Sequence, residues 1–175
     1  MACSYECKMQ SNYRKEITMR PVKKVSDSLT EQQYLVRPSH INHYGRLFGG
    51  QLLLWIDELA GIVAIRHSGE IVTTAAIDHL QFEAPAYEGD LIVLQGMVTA
   101  VGRSSMEIRV DTYREDLNGT RQMINRAYID MVAIDKEGKS VEVPDLLPET
   151  EEQQQEQQAA AKRKKLRKQR RQDGF

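Results

Sequence analysis

The chain of 175 residues predicts an α+β domain in which one curved antiparallel sheet wraps around one long central helix. Three observations predict it. The run from about Gly50 to His67 has helical length and is apolar on nearly every side, so other structure must surround it. From Val72 the hydrophobic period changes to two and holds through successive segments as far as Ile134. Between the last two of these segments stands Asn118-Gly119, a two-residue hairpin signal.

The elements follow in chain order. Thr30 to Arg37 alternates weakly and reads as a first strand, ended by Pro38. Residues 39–50 form a loop, and the helix then runs to about His67, with Gly69 as its cap. Val72 to Phe82 is a strand stopped by the turn at Pro85. Leu91 to Val101 follows the Glu88-Gly89-Asp90 turn. Met106 to Arg114 sets Met106, Ile108, Val110 and Thr112 against Glu107, Arg109, Asp111 and Tyr113. Gln122 to Ile134 completes a meander whose exposed edges invite pairing with a second copy.

Flanking this core, residues 1–28 read as a flexible leader, 29–148 as the folded domain and 149–175 as a charged tail. The leader has no apolar h-region, so no secretory signal is expected and a cytoplasmic location follows. It holds the only cysteines, Cys3 and Cys7, read as reduced thiols, since a disulfide there would close a tiny loop. No apolar run is long enough for a membrane span, the longest being interrupted by Asp57 and Glu58. A net charge of −1 gives no global attraction to nucleic acid. The tail, acidic at Glu149 to Glu156 and basic from Lys162 to Arg171, reads as partly helical, solvated and dispensable for turnover. Its other reading is a contact with an anionic partner, nucleic acid or a lipid surface.

The segment Asn42-His43-Tyr44-Gly45-Arg46-Leu47-Phe48-Gly49-Gly50 places glycines where a loop becomes a helix, and Asp57 lies two turns inside. Gly49 and Gly50 would let a carbonyl approach the unpaired N–H groups of the helix start, or would only permit tight packing. Asp57 sits in the most apolar part of the helix, on roughly the same face as Gly50, with Gly61 keeping that face open. Such an acid has a task or is bonded to backbone. Glu58 points about 100° away and suits it less. His40 and His43 read as solvated loop residues. Gly102-Arg103-Ser104-Ser105 makes a bend whose arginine and hydroxyls could hold phosphates, or is an ordinary turn. There is no Gly-x-Ser-x-Gly elbow and no Gly-x-x-x-x-Gly-Lys-Ser/Thr loop, which turns the reading away from serine hydrolases and nucleotide hydrolysis.

Three blocks together resemble the acyl-CoA hydrolases of the hotdog fold: Asn42, Gly45, Gly49, Gly50 and Asp57; Val72 to Pro85 with Gly89-Asp90; and Val101 to Ser105. They cover about residues 30 to 147. Phe48 departs from the family, where some relatives carry His before the glycine pair. The resemblance implies an acyl-CoA thioesterase that needs no metal and no separate cofactor, coenzyme A being part of the substrate. It implies a homodimer, assembled as a trimer of dimers, with antiparallel helices setting Asp57 of one copy against the Gly49-Gly50 helix start of the other. Asp57 would act as general base or as nucleophile. Asn42 would position water or thioester, although an Asx-turn role is open to it as well. Residues 102–105 would lie near the coenzyme. Two further readings use the same fold: a non-catalytic acyl-CoA-binding regulator whose basic tail contacts nucleic acid, and a dehydratase, for which His79 is a poor base.

Overall fold

A computed structural model of the chain describes residues 20 to 174. Cys3, Cys7 and most of the expected leader lie outside the described residues. The elements are β1 (Val22–Lys24), β2 (Thr30–Leu35), α1 (Gly49–Ser68), β3 (Ile71–Phe82), β4 (Leu91–Val101), β5 (Ser105–Glu115), β6 (Arg121–Ile134), β7 (Asp145–Leu147) and α2 (Glu151–Asp173). Five strands form one antiparallel sheet in the order β2-β4-β5-β6-β3. Register shifts at Thr74/Ala76, Asp78/Gln81, Val98/Ala100 and Thr112/Tyr113 add the bulges that let such a sheet curl. This is the expected hotdog architecture.

Helix α1 lies in the curl. Leu52, Trp55, Ile56, Leu59, Ala60, Val63 and Ala64 recur at helical spacing and bury against Ile92, Leu94, Val98, Ile108, Val110, Ile129 and Met131. Gly96 allows the close seat on β4: a Cβ there would stand 2.9 Å from Val63 Cγ2. Stacking of Tyr34 on Trp55, with ring centroids 4.4 Å apart, fixes the helix to β2. The last turn buries His67, whose Nε2 lies 3.1 Å from the Pro144 carbonyl. Burial pushes this ring below its ordinary pKa. The opposite face of α1 is not covered: Leu54 and Ile65 are half exposed, and nothing stands within 4 Å of a Cβ at Gly61.

The structure corrects three expectations. Residues 20–28 are ordered rather than part of a loose leader. There β1 pairs in parallel with β7, Val25 and Ser28 are buried, and Arg20 forms an ion pair with Asp145. The β5–β6 connection is not a two-residue turn. Asp116 Oδ1 accepts from Asn118 N at 3.2 Å and Thr120 N at 2.8 Å, which draws Asp116 to Thr120 into the loop while Gly119 takes a φ of 85°.

The third correction concerns the tail. It is not solvated throughout: it forms α2, capped by Thr150 Oγ1, which accepts from Gln153 N. One side of α2 docks on the outer sheet face, opposite α1. Arg163 meets Glu107 at 2.7 Å, Arg167 meets Asp130 at 2.7 Å and Asp78 at 3.1 Å, and Glu156 meets Arg109 at 2.9 Å. No helix among the described residues is long and apolar enough to cross a membrane.

Candidate active site

The loop before α1 is shaped by Asn42. Its backbone N–H donates to Arg46 O at 2.8 Å, and its Oδ1 accepts from Tyr44 N at 2.9 Å and Arg46 N at 3.2 Å. The Asx-turn reading of Asn42 therefore describes its oxygen, and Nδ2 is the group it can offer outward. The loop delivers the chain to Phe48, whose carbonyl accepts from Gln51 N and Leu52 N. No side chain caps this helix start. The N–H groups of Gly49 and Gly50 have no intrahelical acceptor, so two donors stand at the positive end of a helix of 20 residues. Asn42 and Gly49 line one cavity of about 410 Å³, together with Leu47, Leu52, Phe82 and Ile124. Phe82 closes over Gly49: its ring lies 3.2 Å from the place of a Gly49 Cβ.

Asp57 lies elsewhere. Eight residues beyond Gly49 on an α-helix is about 12 Å along the axis, and Asp57 does not line that cavity. It belongs to the open face of α1 with Leu54, Gly61 and Ile65. Its Oδ1 accepts the hydroxyl of Thr74 at 2.7 Å, and the same Thr74 oxygen lies 3.4 Å from Met131 Sδ. Thr74 escaped the reading of the sequence. It stands in the run Val72 to Ile77 with no motif to single it out, and only the register of β3 sets it across from the helix. Glu58 turns away, 3.5 Å from the Tyr34 hydroxyl. His40 is not a free loop residue: its ring meets Trp55 edge-on and its Nδ1 accepts from Arg37 N. His43 is exposed beside Tyr44, and the side chain of His79 lies outside the described residues.

The bend at 102–105 is the hairpin between β4 and β5, closed by Gly102 N donating to Ser105 O at 2.7 Å. Val143 N and Ala133 N bind the carbonyls of Arg103 and Ser104, and Arg20 binds that of Gly102. Gly102 and Ser105 line a second cavity, of about 600 Å³, whose other wall is α2. Arg103 is exposed and, with Ser104, is not part of that lining.

Residues 44–120 match the family described as the thioesterase superfamily. YkhA of Bacillus subtilis (strain 168), an uncharacterized acyl-CoA thioester hydrolase, is 41% identical over 118 residues, which are 67% of this chain and 69% of that one. The chain belongs to the acyl-CoA thioester hydrolases of the thioesterase superfamily. The human cytosolic acyl coenzyme A thioester hydrolase is 33% identical over 153 residues, and the chain spans 40% of its length. Among solved structures, the acyl-CoA hydrolase of Staphylococcus aureus in complex with butyryl coenzyme A superposes with a TM-score of 0.84 at 35% identity, covering 88% of this chain and 94% of that one. An apo-hexameric acyl-CoA thioesterase gives a TM-score of 0.83 at 40% identity, covering 86% and 97%.

The Staphylococcus aureus enzyme has been solved as variants with an asparagine, an aspartate or a threonine changed to alanine. Those three stand fifteen and then seventeen positions apart, the same spacing as Asn42, Asp57 and Thr74 in this hydrolase chain.

Proposed function

We propose that this chain hydrolyses acyl-CoA thioesters to a free carboxylic acid and coenzyme A. The observation that carries the reading is the Asp57–Thr74 pair: a carboxylate on the open face of an apolar helix, one oxygen held by a hydroxyl. A pure binder of acyl chains has no need of such a group. The matching spacing of Asn42, Asp57 and Thr74 with the three altered positions of the Staphylococcus aureus enzyme supports it.

The chemistry follows from the groups present. Asp57 takes a proton from water, and the water oxygen bonds to the thioester carbonyl carbon. The charge that develops on the carbonyl oxygen meets the N–H groups of Gly49 and Gly50, where one such donor contributes roughly 3 kcal/mol. The carbon–sulfur bond breaks, and the thiolate leaves with the proton that Asp57 held. Asn42 Nδ2 orients the carbonyl beside Gly49.

Because Asp57 and Gly49-Gly50 are about 12 Å apart along one helix, the site needs a second copy. Antiparallel pairing of two α1 helices about Leu53-Leu54 brings Asp57 of each to Gly50 of the other, since those two residues lie midway between. The uncovered Leu54 and Ile65 support that seam, and the hexameric relative supports a trimer of such dimers. A cytosolic setting accords with the human relative.

The test is thiol release from acyl-CoA esters of short, medium and long chains by the wild type and by Asp57→Asn. The variant is expected to lose roughly a hundredfold or more in kcat with KM little changed. Unchanged activity in the variant rejects Asp57. No release by the wild type at any chain length leaves an acyl-CoA binder. Single turnover in ¹⁸O-water is expected to place the label in the product acid, and label found in Asp57 would make it the nucleophile.

A further inference from the structure

The basic half of α2 divides into two stripes. Arg163 and Arg167 face the sheet and are fully engaged: Arg163 with Glu107 and Glu156, Arg167 with Glu107, Asp78 and Asp130. Lys164, Lys168 and Arg171, at i, i+4 and i+7, form the second stripe. These three line the cavity of about 600 Å³ between α2 and the outer sheet face and have no carboxylate within ion-pair distance among the described residues. The carboxylates in the same wall, Glu107 and Asp130, are both held by Arg167.

Opposite the lysines stands the β4–β5 hairpin. A Cβ on Gly102 would lie 3.4 Å from Lys164 Nζ and 2.6 Å from Ser105 Oγ. Glycine at 102 therefore leaves room for an ammonium and a hydroxyl to converge on one spot. Cations without an ion-pair partner, converging beside a hydroxyl, form a receptor for a multiply charged anion. The cavity has the volume of a small-ligand site. It also reaches Ala75, the neighbour of Thr74 on the edge strand β3. A ligand held there lies on the outer side of the strand whose inner side presents the Asp57–Thr74 pair.

Resting on the hydrolase reading, we infer that Lys164, Lys168 and Arg171 of α2, with the Ser105 hydroxyl, bind the phosphates at the nucleotide end of coenzyme A. The C-terminal helix then sets specificity for the carrier, admitting thioesters of a phosphorylated nucleotide and discriminating against the same acyl group on bare pantetheine. This replaces the expectation of a tail dispensable for turnover.

The experiment uses the full chain and compares one acyl group carried on coenzyme A with the same group on pantetheine. In Lys164→Ala/Lys168→Ala, KM for the acyl-CoA is expected to rise roughly tenfold or more with kcat retained. KM for the acyl-pantetheine, which has no phosphate to lose, should move less than about twofold. Lys164→Arg/Lys168→Arg is expected to recover most of the acyl-CoA KM. An unchanged KM for acyl-CoA, or an equal loss on both thioesters, overturns the inference while leaving hydrolysis standing. Calorimetric binding of coenzyme A against pantetheine separates the two readings. If the wild type turns over neither thioester yet binds coenzyme A better, and the alanine variant loses that margin, hydrolysis fails and the phosphate site stands. If coenzyme A and pantetheine bind alike, the phosphate site fails.

Discussion

Asp57 has one carboxylate oxygen fixed by the Thr74 hydroxyl and a second with no bond among the described residues. The general base proposed at Asp57 is served by this division, one oxygen anchored so that the other is left for the substrate. Removing the hydroxyl frees the carboxylate to rotate and leaves the charge less solvated. A hydrogen bond to a charged group contributes about 1.5–3 kcal/mol. Thr74→Ala is therefore expected to lower kcat by roughly one to two orders of magnitude with a small change in KM, and Thr74→Ser to restore most of it. Steady-state kinetics on one acyl-CoA checks both, and a Thr74→Ala enzyme as fast as wild type would remove Thr74 from the site. At this scale the sequence was legible where a residue contradicts its surroundings. Asp57 does so, as the acid in the most apolar stretch, and the glycine pair opening α1 does so as well. Thr74 does not: threonine is an ordinary β-strand residue, and its partner lies seventeen positions away across a contact that only the folded register creates.

The two helices illustrate opposite kinds of burial. Helix α1 is set in place by apolar side chains at helical spacing, so its length and its role as the centre of the sheet could be read directly. Helix α2 is held by charge. The outer face of β5 carries Glu107, Arg109 and Asp111, all buried, the first two by ion pairs with Arg163 and Glu156 of α2 and the third by Arg109 and Arg126, while Met106, Ile108 and Val110 belong to the core with α1. In a sequence, a strand alternating charged with apolar residues reads as having one solvated face, and a lysine- and arginine-rich tail reads as solvated too. The available clue was complementarity, since Glu156 and Arg163 sit seven residues apart and Arg163 and Arg167 four. This mode of docking predicts acid lability. Burial alone would raise the Glu107 carboxyl, but hydrogen bonds from Arg163, Thr99 and Arg167 outweigh it and hold the group below its ordinary value of 4.5. A carboxylate depressed in the fold contributes stability that is present above that ordinary value and is lost as pH falls through the lower folded value. The amides of α2 are thus expected to keep their hydrogen-exchange protection at pH 6 and to lose it ahead of those of α1 below about pH 4. Equal loss in both helices would show that the ion pairs do not hold α2.

At the scale of the whole molecule, the proposed mechanism has one chain supply two half-sites rather than one site. Strand β3 is an edge of the sheet and leaves Ile71 and Phe82 half exposed, beside the uncovered Leu54 and Ile65 of α1. Exposed strand edges and apolar patches of this kind are surfaces that a second copy covers. A twofold pairing is isologous, so whatever α1 of one copy offers its partner it also receives. Under the proposed antiparallel pairing, Asp57 of one copy works with Asn42 and the Gly49-Gly50 N–H groups of the other. Two inactive variants can then complement each other. A dimer containing one Asp57→Asn chain and one Asn42→Ala chain has one site that carries both lesions and one site that carries neither. Random re-association of equal amounts, after mild denaturant has separated the chains, puts half of all dimers in this mixed form. The mixture is expected to recover about one quarter of the wild-type kcat per chain, with the wild-type KM, although each variant alone is nearly inactive. If Asp57 and Asn42 instead served the same site within one chain, every site in the mixture would carry a lesion, and activity would stay at the average of the two variants however long the chains were exchanged.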